Sequence, residues 1–266
     1  MKKNASWMLI VAGAMIGLMA APAAFAQSGN AMVRVVHASP DAPAVDVYVN
    51  GTKVDALTNV PFFTASAYLP LPAGKIDVKV TPAGAATPAV IDAKGVTIEA
   101  GKSYTIAATG LLASIKPTIL VDNLGAPAAG KAHVRIIHAS PDAPAVDVRV
   151  KGGLALFSNL AFPNASQYLP VDAGTYDLEI TPAGAKNVVL PVNGVKLEAG
   201  KIYDVFAVGQ LANLRVEPVV TTPMAAAAPA TAPTTLPSTG GESLPVALLG
   251  VGALLAAAGV LLRRRA

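Results

Sequence analysis

Cysteine is absent from all 266 residues. That excludes a disulfide scaffold, a zinc–thiolate or iron–sulfur site, a thiol nucleophile and a lipid-modified cysteine behind a leader. Tryptophan is nearly absent: Trp7 is the single one and lies in the N-terminal apolar stretch. Sugar-stacking surfaces built on Trp are therefore not indicated. The formal charge of +4 and the pI near 9.3 mislead. Lys2 and Lys3 stand at one end, Arg263, Arg264 and Arg265 stand against Glu242 at the other, and the chain between them is neutral. A neutral middle excludes a strongly basic nucleic-acid binder, because counterion release needs a patch of cations. No P-loop, dinucleotide fingerprint or H-E-x-x-H motif occurs.

Both ends read as targeting segments. Residues 1–26 combine Lys2 and Lys3, an apolar stretch from Trp7 to Ala21 and Ala24-Phe25-Ala26, the pattern of a secretory signal peptide. Signal peptidase is expected to cut between Ala26 and Gln27. Residues 236–266 begin Leu236-Pro237-Ser238-Thr239-Gly240, continue as an apolar run over 244–262 and end on the three arginines. Nineteen residues are about the minimum that crosses a hydrocarbon core as a helix, and the arginines would hold the tail inside. This order resembles the L-P-x-T-G sorting signal of Gram-positive surface proteins. The resemblance implies that sortase cuts between Thr239 and Gly240 and joins Thr239 to peptidoglycan. A retained single-pass membrane anchor is the alternative.

Between the ends the chain repeats itself. Residues 33–47, Val-Arg-Val-Val-His-Ala-Ser-Pro-Asp-Ala-Pro-Ala-Val-Asp-Val, return at 134–148 as Val-Arg-Ile-Ile-His-Ala-Ser-Pro-Asp-Ala-Pro-Ala-Val-Asp-Val. The offset of 101 falls to 100 at Tyr68-Leu69-Pro70 and Tyr168-Leu169-Pro170, and to 99 at Glu99-Ala100-Gly101-Lys102 and Glu198-Ala199-Gly200-Lys201. A period near 100 marks tandem domains, not a solenoid. In each module apolar residues alternate with polar ones, as in Val45, Val47 and Val49 or Ile76, Val78 and Val80. Asn50-Gly51 is a type I′ hairpin signal. About seven short strands in about 90 residues predict an all-β fold of two tandem immunoglobulin-like β-sandwich domains, residues 31–123 and 133–220. Each is expected to fold alone. Residues 221–235, rich in Ala, Pro and Thr, read as an extended stalk of roughly 45 Å.

The shared block, with the later Tyr-Leu-Pro and Thr-Pro-Ala-Gly, resembles a bacterial domain-of-unknown-function family numbered 4397. The resemblance implies secreted or surface β-sandwiches and assigns no activity.

The one cluster with chemical potential is the repeated loop: His37, Ser39, Asp41 and Asp46, and again His138, Ser140, Asp142 and Asp147. A serine two residues from a histidine at a strand end does not make a triad, and no G-x-S-x-G elbow occurs. Calcium needs six to eight oxygens, more than this loop offers. The turn reading is favoured: Asp41 and Asp142 close turns, His37 and His138 hold strand ends, and Asp46 and Asp147 face water or loop backbone. Arg34 and Arg135 alternate outward on the first strand, a solvated or ion-paired face. Tyr68, Tyr104, Tyr168 and Tyr203 are expected in the cores. The composite expectation is a non-catalytic wall-anchored protein without cofactor or metal, facing an unknown extracellular ligand. A receptor for a small ligand or divalent ion at the loops is the alternative.

Overall fold

The computed structural model describes residues 29–224, so the signal-peptide and sorting-signal readings fall outside the described residues. Those residues are all-β, sixteen strands in four four-stranded sheets. Among them no helix is long and apolar enough to cross a membrane.

The first half holds β1 (Asn30–His37), β2 (Val45–Val49), β3 (Thr52–Lys53), β4 (Leu69–Pro72), β5 (Gly74–Pro82), β6 (Ile91–Ile98), β7 (Ser103–Thr109) and β8 (Lys116–Asp122). The second holds β9 (Lys131–His138), β10 (Val146–Val150), β11 (Ala155–Leu160), β12 (Leu169–Asp172), β13 (Gly174–Pro182), β14 (Leu190–Leu197), β15 (Ile202–Val208) and β16 (Arg215–Thr221). Each half therefore has eight strands, one more than expected, and β16 takes in Thr221, the first residue read as stalk.

The sheets run β4-β1-β7-β8 over β3-β2-β5-β6 in the first half, and β12-β9-β15-β16 over β11-β10-β13-β14 in the second. All pairs are antiparallel except β1 with β7 and β9 with β15. The expected hairpin after β2 is present. Asn50 and Gly51 take φ of 50° and 80°, the left-handed pair that a type I′ turn requires and that Asn and Gly accept most readily.

Alternation of side chains fixes what each strand buries. On β1, Ala31 and Val33 enter the core of their own half beside Val47, Ile76 and Ile106. On β9, Val134 and Ile136 do the same beside Val148, Ile180 and Tyr203. The opposite face of β1 is not in water. Val36, Ala38 and Ala107 of the first half pack with Ile137, Ala139, Phe206 and Val208 of the second in a third core. Phe63 meets Phe206 edge-on at 5.6 Å between ring centroids, a favoured aromatic geometry. The inner sheets of the two halves thus cover each other at their central strands, and β1, β7, β9 and β15 are buried on both faces. All three cores lie within residues 29–224.

Candidate functional site

The repeated loops are fixed by hydrogen bonds that their sequence only partly announces. His37 is buried at the end of β1. Its Nε2–H donates to the Pro43 carbonyl at 3.0 Å, and its Nδ1 accepts from the Ser39 amide at 3.4 Å. Both ring nitrogens are engaged, and burial lowers the imidazole pKa despite the Pro43 bond. His138 repeats this with Pro144 and Ser140, and burial lowers its pKa as well. Ser39 Oγ donates to the Gly110 carbonyl at 2.6 Å, so its proton is directed away from the imidazole.

The Asp41 carboxylate bonds outside its own loop. Its Oδ1 accepts the Leu112 amide at 2.7 Å, at the first residue of the 3-10 turn Leu112–Ser114 between β7 and β8. Asp142 accepts the Leu211 amide at 2.8 Å at the matching turn Leu211–Asn213. Each carboxylate clamps a connection about 70 residues away in sequence. Asp41→Ala is expected to cost about 0.5–2 kcal/mol, the scale of losing such a cap. The loss should be the same with calcium, zinc or chelator present. A chelator-sensitive unfolding midpoint in the wild type would contradict this assignment.

Asp46 lies buried against loop backbone rather than in water. It accepts the Lys53 ammonium at 2.7 Å, the Asn59 amide at 2.8 Å and the Gly84 amide at 3.0 Å. The Lys53 bond first, then the two amides, hold its pKa down to about 2. Asp147 accepts the Asn159 and Gly184 amides at 2.7 and 3.0 Å, and these bonds lower its pKa. The imidazole and the two carboxylates of each loop therefore serve separate backbone groups. Among the described residues no three His, Asp or Glu side chains are grouped so that they could hold a metal.

A second polar cluster, not expected from the sequence, lies in the seam between the halves. Arg34 and Arg135 are ion-paired as expected but not solvated: they are 1% and 3% exposed. The correction has a simple cause, since the other half covers the face that alternation turns outward. Arg34 donates to Asp204 Oδ2 across the seam, to Thr221 Oγ1 at 3.1 Å, and to Thr105 Oγ1 of its own half at 2.7 Å. Arg135 donates to Asp204 Oδ1 at 2.7 Å in its own half, and to Asp122 Oδ1 at 2.5 Å and the Val121 carbonyl at 3.1 Å across the seam. Thr105 Oγ1 donates to Asp122 Oδ2 at 2.6 Å. Tyr68 and Tyr168 close the ends, donating to Asp122 at 2.7 Å and Asp204 at 2.8 Å.

These two tyrosines do not fill the cores, as Tyr104 and Tyr203 do. Their rings lie under Arg34 at 4.9 Å and Arg135 at 4.5 Å, within cation–π range. Burial, reinforced by Asp122 for Tyr68 and Asp204 for Tyr168, pushes both phenols up, so they remain donors. Burial alone would lower the Arg135 pKa, yet Asp204 and Asp122 raise it above the usual guanidinium value. Two cations and two anions share one buried layer with every charge paired.

The missed residues leave a trace in the repeat. At the offset of 99, Thr105 matches Asp204 and Asp122 matches Thr221. Each half thus has an arginine, an aspartate and a threonine on its inner sheet, with the last two exchanged between strands. A polar exchange at matched strand positions is the signal that could have revealed the seam.

Comparison with known protein families gives a match to "Domain of unknown function (DUF4397)" over residues 31–149 and again over 132–234. No curated protein matches the chain.

Proposed function

The chain belongs to the DUF4397 family, which carries no assigned function, and from its own residues we propose a non-catalytic cell-surface protein, anchored to peptidoglycan by sortase, whose paired β-sandwiches serve a structural or adhesive role. The observation that carries the reading is the order at the C-terminus: Leu236-Pro237-Ser238-Thr239-Gly240, an apolar run over 244–262, then Arg263-Arg264-Arg265. The leader ending at Ala26 supplies export, with Gln27 as the mature start. The site residues support a structural role. His37, Ser39 and Asp41 bond chiefly to backbone groups of their own half, Asp46 bonds to two backbone amides and Lys53, and the Ser39 hydroxyl is not paired with the imidazole. The same reading takes each half as an immunoglobulin-like sandwich, supported by two four-stranded layers around one core. The partners it names are signal peptidase, sortase, peptidoglycan and an extracellular ligand, with the protein on the outer face of the wall.

Fractionation of cells tests the anchoring. A muralytic enzyme is expected to release the wild type, and detergent alone to leave it in the wall. Thr239→Ala should move the protein to the membrane fraction. Extraction of the wild type from intact walls by detergent would overturn the proposal and favour a retained membrane anchor.

A further inference from the structure

The two halves differ most in how well they are filled. In the first, the space left between the sheets is 20 Å³, bordered by Leu57, Leu71 and Ile106 among others. In the second, the matching space is a cavity of 260 Å³ between its two sheets, lined almost wholly by apolar side chains such as Val148, Phe157, Val171, Leu178 and Val205.

Two changes open the second half. In the first half the 3-10 turn Asp55–Leu57 sets Leu57 into the core at 2% exposure. In the second half strand β11 takes that place, and Phe157 is only half-buried. Ile76, 3% exposed, corresponds to Tyr176, whose hydroxyl donates to the Asp172 carbonyl at 2.8 Å and so draws the ring to the rim. Leu71 and Ile106 correspond to Val171 and Val205, each one methylene smaller, whereas Val35, Val78 and Val80 correspond to Ile136, Leu178 and Ile180, each one larger. The space opens through the lost Leu57 plug and the displaced Tyr176 ring and not through a smaller sum of side chains. The same scaffold therefore closes in one copy and is held open in the other. Leu154, 88% exposed and two residues before the lining residue Leu156, extends the apolar surface outward.

We infer that the second half is a binding site for a compact, uncharged, hydrocarbon-like molecule. Apolar cavities of ~150 Å³ stay dry and admit a single aromatic ring, and this one has room for more. The chemistry of the lining selects against charge. Lys196 is the one charged lining residue, and its ammonium already meets Glu198 at 3.2 Å in solvent. A carboxylate placed between the sheets would be left without a partner.

Residues 29–224, which contain all three cores, serve for the test, with naphthalene as the probe. They hold no tryptophan, so naphthalene emission is read against tyrosine alone. The expected result is saturable binding at one site, with 2-naphthoate about ten-fold or more weaker. V171L/V205I adds one methylene at each of two lining positions, which the cavity has room to take, and should weaken naphthalene several-fold. V195F, which places a ring in the cavity, should abolish binding, with circular dichroism unchanged in both variants. If V195F does not fold, V171L/V205I decides. No saturable binding, equal binding by both variants and wild type, or equal affinity for 2-naphthoate would each overturn the inference.

Discussion

Asp204→Ala is expected to lower the unfolding free energy by about 3–5 kcal/mol, the cost of leaving a buried charge without its partner. Asp204 is fully buried and is the one carboxylate that both Arg34 and Arg135 reach. Its loss strands two guanidinium groups in a buried layer, with Asp122 alone to balance them. Urea unfolding followed by far-ultraviolet dichroism reads the effect as a shift in midpoint. An exposed pair supplies the contrast: Lys102 with Glu99 at 2.8 Å, about half exposed, should leave the midpoint almost unmoved when broken, because solvent screens it. Replacing all four buried charges together by Met and Leu should cost far less than Asp204→Ala, because no unpaired ion remains. A midpoint for Asp204→Ala within the range of Glu99→Ala would show that the seam is wet and its charges screened.

The second large effect concerns separation of the halves. Residues 31–123 produced alone keep their own core but lose the cover over Val36, Ala38, Ala107 and Phe63, and over Arg34 and Asp122. The expectation of independent folding therefore needs a qualification from the seam: the isolated half should retain β-sheet dichroism yet self-associate. Mixed with residues 131–224, it should form a one-to-one complex in sedimentation or size-exclusion measurements, at the expense of the self-associated species. A first half that stays monomeric, and stays so when the second is added, would show that the seam contributes little.

Strand positions were legible because alternation is a local property. Val45, Val47 and Val49 mark β2 on their own, and Asn50-Gly51 marks its turn without reference to anything distant. The outer face of β1 was not legible for the same reason. Period two places Arg34 opposite Val33, but whether that side meets water depends on Asp204, 170 residues away. An arginine in a strand has the same local pattern whether solvated or buried in a neutralised layer. The loop residues fall between these cases. His37 holds the strand end as its position suggests, whereas the partner of Asp41 is an amide on a different connection. The cavity was the least legible feature, since exchanges such as Val171 for Leu71 and Ile136 for Val35 leave the hydrophobic pattern unchanged, and the loss of Leu57 from the core follows from a turn that becomes a strand.

The seam also bears on what the repeat can lose. Residues 33–47 and 134–148 differ at only two positions, so a deletion that joins one block to the other removes one repeat of 101 residues without a visible scar in the sequence. The product carries Arg34 followed by the β15 and β16 of the second half, with Asp204 and Thr221. It retains one arginine, one aspartate and one closed sandwich, but its inner sheet has no mate. Such a deletion, silent in a chain of independent beads, here uncovers Phe206 and Val208. Each copy thus shields the other, and dropping one exposes the apolar and charged face of what remains.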